Sequence, residues 1–141
     1  MGFLDRVKFR WDSAGFVTSL MDKWRPRGCK TEKDFENSLY KFLHEHLDTI
    51  QITKQYARGR IRADLVVGDD VIVELKHNLN TTAKYQRLTG QLIEYKEWKG
   101  QIVILLTGEV DPNLRKQLKG FIESEGFDDD WDEGTVTVVE K

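Results

Sequence analysis

The segment that most constrains the fold of this chain is the apolar run over residues 101–107. Its interior reads Ile-Val-Ile-Leu-Leu, without a polar side chain. A continuous aliphatic run of this kind is typical of a β-strand that is buried on both faces. A chain of 141 residues is long enough for one domain with one core. We therefore expect a sheet that contains this strand and is covered on both sides.

Periodicities elsewhere in the chain predict the elements around this strand. Thr31 offers an N-cap for a helix whose apolar residues recur at helical spacing as far as Leu47. Further helices are expected over residues 82–98 and 112–123, and strands over 50–57, 60–67, 71–76 and 135–139. The predicted fold class is α/β, a central mixed β-sheet flanked by helices with the order α-β-β-β-α-β-α-β.

Residues 1–30 are expected to form an N-terminal helical extension, and residues 31–141 to form the main domain. One or two short amphipathic helices are indicated by spaced apolar side chains: Val7, Trp11, Phe16, Val17, Leu20, Met21 and Trp24. The segment around Trp11 and Trp24 is also a candidate interface for a homodimer.

The sequence predicts a cytoplasmic protein with no membrane span. No apolar run approaches the roughly 20 residues that a bilayer core requires. Asp5 and Arg6 lie where a secretory signal would be apolar. Cys29 is the single cysteine, so no internal disulfide can form, which suits a reducing compartment.

The net charge of −2 is unevenly distributed along the chain. Residues 123–133 carry seven acids and no bases, whereas residues 1–122 carry 21 of the 22 basic and 16 of the 24 acidic residues. The body of the protein is therefore about +5, and phosphate binding responds to local charge. Charge permits a nucleic-acid partner without identifying one.

Two alternating segments, residues 60–67 and 71–76, flank Gly68-Asp69-Asp70 and predict a tight hairpin. Because side chains alternate across a strand, each segment divides into two faces. One apolar face should carry Ile61, Ala63, Leu65, Val67, Val71, Val73 and Leu75. The other should carry Arg60, Arg62, Asp64, Val66, Ile72, Glu74 and Lys76.

A three-residue loop would place Asp64 directly across from Glu74, with Cβ atoms about 5 Å apart. Two carboxylates so placed repel each other, and a divalent cation between them reverses that interaction. Lys76 projects to the same side, where its ammonium can hold a water or neutralise charge on a phosphate. The alternative is that these side chains make ordinary surface ion pairs.

These residues resemble the PD-(D/E)xK nuclease superfamily, which has a restriction-endonuclease-like fold. Its pattern is an acid at a strand end followed by (D/E)-x-K on the next strand, here Asp64 and then Glu74-Leu75-Lys76. Ala63 stands where the family usually has proline. The family also places a glutamate on the helix before the sheet. Glu36 is the preferred candidate for it, and Glu32 is the alternative.

The segment from Gln91 to Tyr95 matches the Q-x-x-x-Y motif of RecB-type nucleases. Positions i and i+4 share a helix face, so both side chains can turn toward one site. The resemblance implies that Gln91 supports Lys76 or the substrate, and we expect Tyr95 to contact nucleic acid. The alternative is a surface glutamine and a half-buried tyrosine.

Three basic residues, Arg58, Arg60 and Arg62, lead along the chain into Asp64. Arginine grips phosphate through paired donors, so we expect these side chains to contact a nucleic-acid backbone. The alternative is a solvated edge.

The resemblance implies metal-dependent hydrolysis of phosphodiester bonds, with DNA as the expected substrate. Mg²⁺ or Mn²⁺ would be held by Asp64, Glu74 and the backbone carbonyl of Leu75, with Glu36 contributing directly or through water. Lys76 would orient the attacking water.

The type of nuclease remains open at this stage. The Q-x-x-x-Y motif favours an exonuclease, whereas a compact chain also suits a structure-specific endonuclease or a dimeric Holliday-junction resolvase. A non-catalytic domain that keeps the fold to bind nucleic acid or protein is a further alternative. The chain could act alone or with a helicase or a viral or repair complex.

Overall fold

The computed structural model describes residues 12–127 and 135–141. Trp11 and most of the acidic segment lie outside the described residues. The helices are α1 (Ser13–Lys23), α2 (Glu32–His46), α3 (Thr82–Glu94) and α4 (Pro112–Ser124), with a short 3₁₀ turn at Tyr95–Glu97. The strands are β1 (Ile52–Arg58), β2 (Ile61–Val67), β3 (Val71–His77), β4 (Gln101–Thr107) and β5 (Val136–Glu140). None of the helices among the described residues is long and apolar enough to cross a membrane.

The five strands form one mixed sheet in the order β1-β2-β3-β4-β5. The pairs β1–β2 and β2–β3 are antiparallel, whereas β3–β4 and β4–β5 are parallel. The predicted α/β class and order of elements from residue 31 onward are confirmed. The apolar run over 101–107 is β4, and it is buried from Ile102 to Thr107, as its composition predicted.

Helices cover both faces of the sheet and produce two core clusters. The first cluster packs α1 and α2 against one face and includes Val17, Leu39, Leu65, Val73 and Leu105. The second cluster packs α3 and α4 against the other face and includes Val66, Ile72, Leu92, Ile104 and Leu118. The capping box at Thr31 starts α2, because Thr31 accepts from the N–H of Asp34 and Asp34 accepts from the N–H of Thr31.

The N-terminal helix α1 contributes to the first core cluster. Trp24 is 2% exposed, and its indole Nε1 donates to Oγ of Ser38 at 3.0 Å. At the other end of α1, the N–H of Ala14 donates to Oε1 of Gln101 at 2.8 Å. Residue 30 is therefore not a boundary between separate cores. Trp24 thus belongs to the core of its own domain, and the homodimer interface around Trp11 and Trp24 stays a prediction.

The face predicted for the start of β2 is also wrong. Ile61 and Ala63 belong to the second cluster, whereas Leu65 and Val67 belong to the first. The change of face occurs at Asp64, where regular pairing with β1 is interrupted between the pairs on either side. Strict alternation does not hold across such an interruption, so the sequence pattern assigned the two halves of β2 to one face.

Candidate active site

Asp64 reaches across from β2 to the backbone of β3. The pairing of these strands begins at Val67 opposite Val71, which confirms the predicted loop, and it stops after three residue pairs, before Asp64. One oxygen of the Asp64 carboxylate accepts a hydrogen bond from the N–H of Leu75 at 2.8 Å. The Asp64 side chain thus lies where the next link between the strands would otherwise form.

Glu74 lies on β3 beside this carboxylate and is 1% exposed. Its Oε2 is 2.5 Å from the hydroxyl of Tyr95, and its Oε1 is 3.6 Å from Nζ of Lys76. The same Tyr95 hydroxyl is 2.5 Å from the backbone carbonyl of Arg62. The structure therefore brings together the three predicted residues Asp64, Glu74 and Lys76, and adds Tyr95 as a direct partner of Glu74.

The two acids share a negatively charged environment in which Glu74 is buried and Asp64 is half-buried. Burial, followed by the charge of Asp64, raises the pKa of Glu74 to about 8, and the Tyr95 hydroxyl and Lys76 oppose that rise. Burial also raises the pKa of Asp64, with further contributions from Glu32 and Glu36, while the Leu75 N–H opposes it. Two adjacent carboxylates with raised pKa values indicate a site where added positive charge would be strongly favourable.

Glu36 faces this pair from helix α2 and is 3% exposed. Its two oxygens are held separately: Oε1 accepts from the amide of Gln55, and Oε2 accepts from Nζ of Lys33 at 3.2 Å. Gln55 has a backbone φ of 49°, a left-handed conformation that is uncommon for a residue with a side chain. Gln55 was not identified from the sequence, because neither its unusual backbone nor its contact with α2 leaves a local pattern.

Glu32, the alternative to Glu36, lies one turn earlier on α2 and is exposed. Its Oε1 accepts from the N–H of His77, at the end of β3, at 3.1 Å. Both glutamates lie close enough to raise the pKa of Asp64. Glu36 is the buried glutamate of the two, and Glu32 is hydrogen-bonded to the end of β3.

The donor set fits a small hydrated cation. Within residues 12–127 and 135–141, no three His, Cys, Asp or Glu side chains converge closely enough to enclose a metal ion. Mg²⁺ does not need such a cage, because it usually keeps several waters and takes one or two carboxylates. Asp64 and Glu74, whose carboxylates lie within hydrogen-bonding reach of each other, match that requirement. Leu75, the source of the predicted carbonyl ligand, follows Glu74 on β3.

The two residues of the Q-x-x-x-Y segment have different environments. Tyr95 is fully buried in the second core cluster, so the prediction that it contacts nucleic acid is wrong. The reason is that Leu88, Leu92 and Tyr95 recur at helical spacing and Tyr95 keeps an αR backbone, so its ring lies on the buried face of α3, which ends at Glu94, earlier than predicted. Gln91 is half-buried, and its Oε1 is buried without a hydrogen-bond partner in the described part of the chain. No contact between Gln91 and Lys76 is formed among these residues.

The three arginines differ in their availability. Arg62 turns back on the β1–β2 turn, donating from Nη1 to the carbonyl oxygens of Gly59 at 2.7 Å and Ile61 at 2.9 Å. Arg58 and Arg60 are exposed and line a groove of about 520 Å³ that also contains Trp98. Arg58 and Arg60 are therefore accessible to a ligand, whereas the Arg62 guanidinium is bound by backbone carbonyl oxygens of the β1–β2 turn.

Comparison with known proteins gives one distant structural likeness. No family model matches the chain, and no curated protein matches it in sequence. A solved structure of SfsA from Pyrococcus furiosus, in complex with Ca²⁺, is similar with a TM-score of 0.45 and 18% identity. The match covers 77% of this chain and 54% of that one, so the chain spans about half the length of SfsA. This likeness concerns the chain trace and adds nothing on the chemistry of the site.

Proposed function

We propose that the protein is a metal-dependent nuclease of the PD-(D/E)xK type that hydrolyses phosphodiester bonds in DNA. The observation that carries this proposal is the meeting of Asp64, Glu74 and Lys76 at one end of β3. A buried and a half-buried carboxylate beside one ammonium are poorly suited to a purely structural role, because burial disfavours their charged forms. They are well suited to hold a divalent cation beside a phosphate.

Asp64, Glu74 and the carbonyl of Leu75 would hold Mg²⁺ or Mn²⁺, with Glu36 acting directly or through a water. A cation bound there supplies polarisation of the phosphate and a lowered pKa for a bound water. Lys76 sits 3.6 Å from Glu74, at the rim of the carboxylate pair. Its ammonium would orient the attacking water or neutralise charge that develops on the phosphate.

The supporting residues fix the geometry of the carboxylates. Tyr95 holds Oε2 of Glu74, and the Leu75 N–H holds Asp64. Gln55 on β1 holds Glu36 on α2. Gln91 would contribute its unpaired Oε1, one turn before Tyr95, to a ligand or a water at the site. Catalytic groups that are held by neighbours in this way lose less freedom when the substrate binds.

The substrate binding surface would include the exposed Arg58 and Arg60. An exonuclease or structure-specific enzyme is the favoured form of the proposal, and a dimeric junction resolvase is the alternative within the same chemistry. A helicase or a repair or viral complex would be a suitable partner for such a domain. Sizing chromatography distinguishes a stable dimer from a monomer.

The test is cleavage of matched linear, nicked, single-stranded and branched DNA with Mg²⁺, Mn²⁺ or EDTA. Lys76→Ala is compared with wild type and with Lys116→Ala, a matched control that removes an exposed lysine from α4. Metal-dependent cutting that is lost only in Lys76→Ala supports the proposal. Equal cutting by all three proteins would overturn the assigned site. DNA binding with no cutting of any substrate would favour a non-catalytic domain.

A further inference from the structure

A second feature at the same end of β3 is a pocket of about 360 Å³ that opens beside Lys76. Its walls come from the start of α2, the end of β3 and the start of α3. The lining residues are Lys30, Thr31, Glu32, Lys76, His77, Lys84 and Arg87. Four of these seven side chains are cationic and one is acidic, so the pocket has an excess of positive charge beside an acidic site.

The positive groups come from three elements: Lys30 precedes the N-cap of α2, Lys76 lies on β3, and Lys84 and Arg87 lie in the first two turns of α3. Thr31 caps α2 and Thr81 caps α3, each accepting from a first-turn N–H. Lys84 and Arg87 lie three residues apart on α3 and therefore share one face of that helix. Thr31, the N-cap of α2, lines the pocket, so the positive end of that helix dipole adds to the attraction for an anion.

Lys76 is paired with Glu74 at 3.6 Å, whereas the positive charges of Lys84 and Arg87 are not paired with an acid among the described residues. Lys84 donates to two neutral acceptors, the carbonyl oxygen of Asn78 at 3.0 Å and Oδ1 of Asn80 at 3.4 Å. Arg87 is exposed and forms no hydrogen bond or ion pair with any described residue. The one acid in the lining, Glu32, is engaged by the backbone N–H of His77. Like charges gathered without counter-charges repel one another, and an anionic ligand reverses that cost.

We propose that this pocket is a phosphate-binding subsite. This inference rests on the nuclease function proposed above: the ligand is a phosphate of the same DNA strand whose neighbouring phosphodiester lies at Asp64 and Glu74. Arg87 supplies paired donors to the phosphate oxygens, and Lys84 supplies a point charge. The volume exceeds that of a phosphate ion and accommodates an attached sugar. The phosphate is either a terminal monoester or an internal diester, and both share the chemistry that the pocket recognises.

The test measures binding rather than cleavage. Wild type, Arg87→Gln, Lys84→Gln and the double variant are titrated with short single-stranded DNA in EDTA, and Lys116→Gln serves as the matched control. Each oligonucleotide is prepared with a 5′-phosphate, with a 3′-phosphate and with hydroxyl groups at both ends. We expect the double variant to bind about tenfold more weakly than wild type. The slope of log affinity against log salt concentration should fall in magnitude by about one for each lost phosphate contact. Thermal denaturation verifies that each variant is folded.

The three oligonucleotides distinguish the two sources of phosphate. A loss confined to one phosphorylated end assigns the pocket to a terminal monoester, whereas an equal loss on all three assigns it to an internal diester. Affinity and salt dependence that match wild type on every oligonucleotide would overturn the subsite. Failure of the nuclease proposal is measured separately, by cleavage. If wild type never cuts DNA, a loss of affinity in these variants would still support the subsite. Conversely, if wild type cuts DNA and the Lys84 and Arg87 variants bind DNA as tightly as wild type, the nuclease proposal stands and the subsite proposal is overturned.

Discussion

The hydroxyl of Tyr95 lies 2.5 Å from Oε2 of Glu74 and 2.5 Å from the backbone carbonyl oxygen of Arg62. A hydroxyl has one proton and cannot donate to both oxygens at once. Both contacts are satisfied when Glu74 is protonated, since its carboxyl group donates to Tyr95 while Tyr95 donates to Arg62. When Glu74 is ionised, Tyr95 donates to one of the two. Tyr95 thus connects the end of α3 to the acid on β3 and to the backbone of β2, and acts as a positioning residue.

Tyr95→Phe removes this connection without changing the shape of the ring. We expect a loss of about 1–3 kcal/mol in the free energy of unfolding, because buried oxygens of Glu74 and Arg62 lose their partner. A shift in the pH profile of metal-dependent cleavage should accompany the loss, because Tyr95 stabilises the ionised form of Glu74. Chemical denaturation and pH–rate profiles measure the two effects. Tyr85→Phe is the control, since the hydroxyl of Tyr85 forms no hydrogen bond with any described residue. Equal behaviour of both variants would contradict the role of Tyr95.

The raised pKa values predict how stability depends on pH in the metal-free protein. Glu74 shifts from 4.5 to about 8 on folding, and Asp64 is also raised. Through these two groups the folded protein binds more protons than the unfolded chain in this interval, so the stability that they contribute is fully present below about 4.5 and is lost as the pH rises through about 8. The slope is at most ~1.4 kcal/mol per pH unit for each group.

Denaturant unfolding in EDTA at pH values from roughly 5 to 8.5 measures this slope, because that range covers most of the interval between the unfolded and folded pKa of Glu74. Glu74→Gln should flatten the profile, because an amide does not titrate. Added Mg²⁺ should stabilise the protein more at the alkaline end, where the carboxylates are ionised. A metal-free protein whose stability rises over this interval would show that the two acids are not coupled as described.

The hairpin was predictable because its information is local. The three-residue loop fixes Val67 opposite Val71, and that register brings Asp64 and Glu74 together at one end of the sheet. The apolar composition of β4 likewise specified a strand with cover on both faces. In both cases, the pattern and the structure depend on residues that are close in the chain.

The features that were missed depend on contacts between distant segments. The change of face occurs at Asp64, where pairing with β1 is interrupted opposite Gln55, and the Tyr95 hydroxyl contacts Glu74 on β3 and the backbone of Arg62 on β2. The burial of Trp24 was not predicted, because the periodicity of α1 shows an apolar face without showing what covers it. Such contacts are set by packing across the domain, and no spacing within one segment records them.

Gly100 precedes β4 at a point of close backbone approach. A Cβ added there would lie 1.9 Å from the carbonyl oxygen of Asp70, which accepts from the N–H of Gln101 at 2.7 Å and from Nε1 of Trp98 at 3.1 Å. Gly100→Ala must therefore displace backbone, and we expect it to lower the free energy of unfolding by about 2–4 kcal/mol. Gly90→Ala is the matched control, because Gly90 lies in α3 with open space around it. The control should gain about 0.5–1 kcal/mol. Thermal or denaturant unfolding of both variants gives the comparison, and a neutral Gly100→Ala would contradict the close approach.

Gln55 combines a strained backbone with a side chain that holds Glu36, and two substitutions separate these properties. Gln55→Ala loses the amide and keeps a Cβ at a φ of 49°, whereas Gln55→Gly loses the amide and relieves the strain. We expect the glycine variant to be more stable than the alanine variant by about 1 kcal/mol. Both should lose metal-dependent cleavage to a similar extent, because in both Glu36 lacks its partner from β1. Unfolding curves measured beside cleavage rates test this division. If cleavage recovers in Gln55→Gly along with stability, then the backbone, and not the bond to Glu36, is what the site requires at this position.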